Sequence, residues 1–344
     1  MNPKNEAKPY KILVVGPAWI GDMVLAQSLF KLLKQRRDHV FIDVVAPAWT
    51  EPLLARMPEV NEALLLPLDH GEMGWATRWR LGRALRPRRY ARAIILSRTF
   101  KSALVPFAAR AQQRTGFLGE MRYGLLNDIR TLAPHALPRT VDRYVALGLD
   151  PGEALPATIP YPRLAASPDS ARAALARLGL AIPPSPALGL CPGAEYGPAK
   201  RWPAPYFADV ANTKLKAGWQ VWLFGSNKDT AIAGEIQALT RDRCLDLTGR
   251  TTLAESIDLM SLTDAVVTND TGLMHIAASL GRKVVAIFGS STPRYTPPLH
   301  SDAKILYLAV ECSPCFARIC PLGHLKCLRD LTPTQVLDAL DDTN

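Results

Sequence analysis

Short apolar runs that close on small-residue turns, each followed by a helical pattern, recur along this 344-residue chain. Lys11-Ile12-Leu13-Val14-Val15 leads into Gly16, Ala187-Leu188-Gly189-Leu190-Cys191 into Pro192-Gly193, and Val266-Val267-Thr268 into Asn269-Asp270-Thr271-Gly272. Runs without polar alternation fit strands covered on both faces, and such strands belong to parallel sheets wrapped by helices. Strands are expected at residues 11–15, 40–45, 63–66 and 91–96, with helices at 23–35, 50–57 and 74–85 between them. Prolines at 151, 156, 160, 162 and 168 then forbid a helix and read as a linker. Alternation resumes with helices at 169–178, 203–217, 230–239, 253–260 and 273–280 and strands at 187–191, 220–224, 264–268 and 283–288. Thr332-Pro333 opens a terminal helix to Leu340, with the option of packing back on the first domain. The expected architecture is therefore α/β: two doubly wound, Rossmann-like domains, 1–165 and 166–344, facing a central cleft. Ligands of such sheets bind outside the carboxyl ends of the strands.

Charge is divided unevenly. The net charge is +10, with 41 Lys and Arg against 31 Asp and Glu. Residues 1–165 hold 24 against 14, and residues 166–344 hold 17 of each. The excess is densest at Arg78, Arg80, Arg83, Arg86, Arg88, Arg89 and Arg92. A one-sided basic half implies an anionic partner, or else an arginine-rich solvated surface. No nucleic-acid motif or base-stacking aromatic pattern accompanies it, so nucleic acid is not the expected partner. No apolar stretch is long enough for a transmembrane helix. The polar start, residues 1–11, does not read as a signal peptide, so a cytoplasmic location is expected. Of six cysteines, Cys191 and Cys244 fall at core positions. Cys312, Cys315, Cys320 and Cys327 cluster at a spacing compatible with a thiolate metal site or with free thiols.

The turns after the strands carry the candidate chemistry. In Asn269-Asp270-Thr271-Gly272-Leu273-Met274-His275, a strand runs into a helix whose free backbone N–H groups favour an anion. Asp270 or Thr271 can cap that helix, and His275 lies one turn on. Lys200 and Arg201 directly precede a helix, an unfavourable place for two cations unless an anion sits between them. A diphosphate would suit both the lysine point charge and the arginine fork. Gly193, Gly225 and Ser226 lie in similar strand-end turns. Gly21 and Asp22 follow the first strand, where Asp22 reads either as a helix cap or as a general base. The spacing there is not the G-x-G-x-x-G of a dinucleotide fold, which argues against a nicotinamide dehydrogenase.

Together these segments resemble the ADP-heptose:lipopolysaccharide heptosyltransferases, in particular those that add the second heptose. The resemblance spans nearly the whole chain. It rests on Gly21-Asp22, on the segment from Pro192-Gly193-Ala194 through Lys200-Arg201-Trp202-Pro203, and on Leu223-Phe224-Gly225-Ser226. Thr268 to His275 and Cys320-Pro321-Leu322-Gly323-His324 complete it. It implies a GT-B fold, with residues 1–165 binding the acceptor and residues 166–344 the ADP-sugar donor. It further implies inverting transfer of L-glycero-D-manno-heptose from ADP-heptose to the first heptose of the lipopolysaccharide inner core, with no cofactor and no metal. By position, Asp22 becomes the catalytic base and, with Gly21, an acceptor contact. Lys200 becomes the cation on the diphosphate. Gly193, Arg201, Gly225, Ser226, Asp270, Thr271, Gly272 and His275 join it in binding the donor. The anionic acceptor implies peripheral work at the cytoplasmic face of the inner membrane. Rival readings are transfer to Kdo2-lipid A, a nucleotide-sugar epimerase, and a non-catalytic nucleotide-sugar or polyanion-binding protein.

Overall fold

The computed structural model describes residues 9–69, 71–180 and 185–342, so the first eight residues of the polar start lie outside it. It divides into two compact units, residues 1–162 and 163–344, the division falling within the proline-rich stretch.

In the first unit β1 (Tyr10–Val15) is followed by α1 (Ile20–Arg36), β2 (Val40–Pro47), α2 (Glu51–Leu54) and β3 (Glu62–Leu66). Then come α3 (Trp75–Leu85), β4 (Arg92–Ile95), α4 (Leu104–Ala108), β5 (Gln113–Phe117), β6 (Asp128–Arg130) and α5 (Thr140–Gly148). The sheet is wholly parallel, in the order β3-β2-β1-β4-β5-β6. Leu13 faces Asp43 on one side and Ala93 on the other, which fixes the register at the sheet centre. Leu13, Val15, Ile95 and Val105 join one core cluster, and α1 packs with α5 elsewhere in the unit.

The basic run is not uniformly a surface. Arg78 and Arg92 are buried. Arg92 donates to the carbonyls of Leu147 (2.7 Å), Gly148 (3.0 Å) and Leu149 (3.3 Å), binding the end of α5 to β4. Arg88 pairs with Asp43 at 2.9 Å and with Glu62 at 2.6 Å. Part of the expected surface charge is thus structural.

The second unit runs α6 (Pro168–Arg177), β7 (Ala187–Cys191), α7 (Ala204–Lys216), β8 (Gln220–Leu223), α8 (Thr230–Thr240) and β9 (Leu245–Asp246). It continues with α9 (Leu253–Met260), β10 (Ala265–Asn269), α10 (Gly272–Ser279), β11 (Lys283–Phe288) and β12 (Lys304–Tyr307), and ends with α11 (Lys326–Arg329) and α12 (Pro333–Asp341). Its sheet repeats the topology of the first, β12-β11-β10-β7-β8-β9, again all parallel. The expected core cysteines are buried, Cys191 in β7 and Cys244 before β9. The terminal helix α12 packs on α7 and β11 within this unit, with Val336 and Leu340 in the core. Among the described residues no helix is long and apolar enough to cross a membrane.

Candidate active site

In both sheets the strand order has a switch point between two neighbouring parallel strands: β1 and β4 in the first unit, β7 and β10 in the second. Loops leaving such a pair diverge and open a crevice at the carboxyl ends of the strands. The segments singled out in the sequence follow β1, β7, β8 and β10, and all but β8 belong to these pairs.

After β1, α1 begins at Ile20 rather than Met23, so Gly21 and Asp22 lie inside its first turn. Trp19 occupies the cap position and makes no side-chain cap. Asp22 is therefore the third helical residue and not the cap, a place where its negative charge suits the helix dipole. It is half-buried. Tyr144 of α5 is buried, and its phenol is held well above its usual pKa by burial and by the charge of Asp22. Trp49 donates its indole N–H to the carbonyl of Ala18 at 2.9 Å, fastening the loop before the helix.

In the second unit one buried carboxamide organises the crevice. Asn269, at the end of β10, is fully buried. Its side-chain oxygen accepts from the Trp202 backbone N–H at 3.0 Å. Its amide donates to the carbonyls of Pro192 at 2.7 Å and Gly193 at 3.3 Å. Both ends of the segment from Pro192 to Trp202 are thus fixed to β10, and Lys200 is carried between them on a short 3-10 turn, Pro198–Lys200. Trp202 is itself buried, with its indole N–H on the carbonyl of Leu331 at 2.9 Å.

Lys200 forms an ion pair with Asp270, whose carboxylate also accepts from the Ser291 hydroxyl at 2.6 Å. Asp270 thus supplies Lys200 with a carboxylate partner from within the chain. Lys200 also lies 5.1 Å from the centre of the Tyr196 ring.

Thr271 holds the cap position of α10, yet its side chain does not cap the helix. Its Oγ1 is buried without a hydrogen-bond partner among the described residues, and so are His275 Nδ1, Ser290 Oγ and Arg201 Nε. Buried polar groups are normally satisfied. Here four unsatisfied ones belong to the segments leaving β7, β10 and β11, which are adjacent strands. Gly272 opens α10 with its N–H among the free donors of the first turn. Burial drives the His275 pKa down to about 4, with Lys200 adding to the effect and Asp270 opposing it. The imidazole is neutral at pH 7 and serves as a hydrogen-bonding group rather than a charge.

Gly193 and Gly225 are placed by close approach to Asp229. A Cβ on Gly193 would stand 2.2 Å from Asp229 Oδ1, and one on Gly225 2.9 Å from Asp229 Cβ. Asp229 Oδ2 accepts from the Ser226 N–H and hydroxyl, both at 2.9 Å, in a local capping box. The structure thus unites Gly193, Lys200, Asp270, Thr271, Gly272 and His275 in one crevice. Gly225 and Ser226 shape the adjoining β8 turn, with the Ser226 hydroxyl already engaged. Asn269, Asp229, Ser290 and Ser291 were missed as site residues. The signal for the serines was the small-residue turn after residues 283–288, which matches the turns already singled out.

Cys312, Cys315, Cys320 and Cys327 line one small cavity with Ala199 and Ser290, and none is in a disulfide. Backbone N–H groups of the 322–325 turn lower the Cys320 thiol below its usual pKa. Among the described residues no group of three or more His, Cys, Asp or Glu is arranged to hold a metal ion.

Comparison with known proteins places the chain. The glycosyltransferase family 9 (heptosyltransferase) profile matches residues 78–326. Lipopolysaccharide heptosyltransferase 2 of Salmonella typhimurium is 45% identical over 339 residues, covering 96% of this chain and 97% of the relative. The Escherichia coli enzyme of the same name is 45% identical over 340 residues, with the same coverage. The solved E. coli ADP-heptose lps heptosyltransferase II superposes with a TM-score of 0.86 at 43% identity, over 96% of this chain and 97% of that one. The α/β fold shared with the solved enzyme, a family profile matched over most of the chain and relatives matched over almost their whole length lead to one statement: this chain belongs to glycosyltransferase family 9, the heptosyltransferases.

Proposed function

We propose that the protein transfers L-glycero-D-manno-heptose from ADP-heptose, with inversion, to the first heptose of the lipopolysaccharide inner core. The observation that carries this reading is the set of unsatisfied polar atoms of Arg201, Thr271, His275 and Ser290 beside the Lys200–Asp270 pair. A phosphate-rich ligand supplies acceptors for these donors, and the near full-length likeness to heptosyltransferase 2 proteins points to ADP-heptose as that ligand.

In this reading the acceptor hydroxyl oxygen attacks the anomeric carbon as the bond from that carbon to the ADP phosphate oxygen breaks. The hydroxyl proton passes to the Asp22 carboxylate, and the electron pair of the breaking bond leaves with ADP. Negative charge grows on the leaving diphosphate, where Lys200, Arg201 and the α10 N-terminus stabilise it. A positioned donor of this kind contributes on the order of 10²–10³ in rate, and a general base about 10²–10⁴. No step requires a metal or a cofactor. Because the acceptor is lipid-linked, the enzyme works peripherally at the cytoplasmic face of the inner membrane.

The test is ADP release from ADP-heptose in the presence of EDTA, with Kdo2-lipid A and heptosyl-Kdo2-lipid A as alternative acceptors. Release with the heptosylated acceptor alone supports the proposal. Release with the shorter acceptor moves the enzyme to the first heptose, and activity abolished by EDTA overturns the metal-free mechanism. Asp22→Asn should lower turnover by about 10²-fold or more while leaving ADP affinity intact. An undiminished rate removes Asp22 from the chemistry.

A further inference from the structure

From Met73 to Gly119 the chain contains no Asp or Glu, and it carries ten arginines and one lysine. Three of those arginines serve the fold. Arg78 donates to the Met73 carbonyl at 2.8 Å, Arg92 holds the end of α5, and Arg88 pairs with Asp43 and Glu62. Others are left without a carboxylate. The guanidinium of Arg86 donates to the Ala108 carbonyl at 2.9 Å, and that of Arg114 to the carbonyls of Leu125 and Ala111, each at 2.7 Å. Main-chain carbonyls fix these groups without cancelling their charge. Arg80, Arg83 and Arg110 are exposed and form no ion pair among the described residues. Half-buried Arg86 is pushed below its usual pKa by burial and then by Arg110 and Arg83, a repulsion that a bound anion would relieve.

Aromatic rings interrupt this charge on one face. Trp75, Trp79, Arg83 and Arg86 recur at spacings of four, four and three along and just beyond α3, so they project from one side. Trp75 is 55% exposed and Trp79 41%. The Trp79 ring lies 6.2 Å from that of Phe107 in α4, and the Arg114 guanidinium sits 5.6 Å over Phe107. Trp79, Arg86, Phe107, Arg110, Gln112 and Arg114 line an open cavity of about 490 Å³. Contiguous exposed aromatics are uncommon on a freely soluble surface. Indole rings flanked by cations are the composition favoured at a membrane–water interface.

We propose that this face of the first unit docks onto an anionic phospholipid leaflet, with Trp75 and Trp79 seated among the headgroups and Arg80, Arg83, Arg86, Arg110 and Arg114 on the lipid phosphates. The proposal rests on the peripheral-membrane reading above and names its surface. A lipid surface fits better than single-stranded nucleic acid. Only two exposed indoles, Trp75 and Trp79, stand on this helix face, whereas strand binders offer a succession of stacking platforms along the bases. Each arginine brought to an anionic surface raises partitioning roughly fivefold.

The experiment is co-sedimentation of the full-length protein with phosphatidylcholine vesicles, with and without phosphatidylglycerol. Wild type should pellet with the anionic vesicles and stay in solution with the neutral ones. Arg83→Gln combined with Arg110→Gln should lower partitioning about 25-fold, and Trp75→Ala with Trp79→Ala should lower it as well. Arg172→Gln with Lys216→Gln, exposed cations of the second unit, should leave it unchanged. Equal loss in that control, or wild type that ignores anionic vesicles, overturns the proposal. So does displacement from vesicles by a single-stranded oligonucleotide at matched phosphate concentration. Patch variants should keep full transfer to a delipidated core oligosaccharide. Vesicle binding by a protein that transfers no heptose would sink the transferase reading and leave the docking surface standing.

Discussion

His275 and Thr271 are the residues whose behaviour departs most from an ordinary helix start. His275 has a folded-state pKa of about 4 against an ordinary value near 6.5. Between those values the unfolded chain binds the proton and the folded one does not. The neutral, buried form therefore contributes stability that is fully present above about pH 6.5 and lost as the pH falls through about 4. The whole effect amounts to no more than about 3 kcal/mol. Urea midpoints measured across that window should fall for wild type and change less for His275→Gln. Thr271 presents the complementary case, a hydroxyl without a protein partner. Thr271→Val should leave the melting temperature unchanged or slightly raised, while ADP affinity drops about fivefold, close to 1 kcal/mol. A loss of stability with unchanged ADP binding would mean that the hydroxyl serves the fold instead.

The loops between strands and helices show how far local sequence carries. Strands 187–191 and 283–288 match β7 and β11 because an apolar run bounded by turn residues has few alternatives. β5 and β6, Gln113–Phe117 and Asp128–Arg130, were not anticipated. Their polar residues make contacts that only the folded chain reveals, such as the Thr115 hydroxyl on Asp128 at 2.9 Å. The same limit applies to the site. Asp270 and His275 stand out in a strand–turn–helix pattern, but the bridge from Asn269 to Trp202 joins residues 67 apart in sequence. Removing that bridge should be severe. Asn269→Ala orphans the Trp202 N–H and the Pro192 and Gly193 carbonyls, at roughly 1–3 kcal/mol per buried group. It should therefore lower the melting temperature and weaken ADP binding together. Stability near wild type would mean that the loop is held by other contacts. Of the two readings of Asp22, the cap fails for a local reason: α1 starts three residues early, at Ile20, and draws Asp22 into its first turn.

Each unit has its own sheet, its own hydrophobic core and its own switch point, and the charge follows that division. By the observed boundary the first unit carries +9 and the second +1. Two cores sharing one fold order can respond separately to ligand. ADP should slow amide exchange in the segments leaving β7, β10 and β11 and leave β1 to β6 unchanged, as hydrogen-exchange mass spectrometry can read. Slowing confined to the first unit would move the nucleotide site there. The run from Met73 to Gly119 has a bearing on solution conditions as well. Its uncompensated cations at positions 80, 83, 86, 110 and 114 are all arginine, and no carboxylate interrupts the run. Arginine does not deprotonate in proteins, and no carboxylate lies within that run of sequence. The charge of those five arginines therefore holds from mildly acid to mildly alkaline conditions, including the proton-enriched layer that forms against any anionic surface. A lysine- or histidine-built patch would brighten and fade with pH; this one acts as a fixed potential.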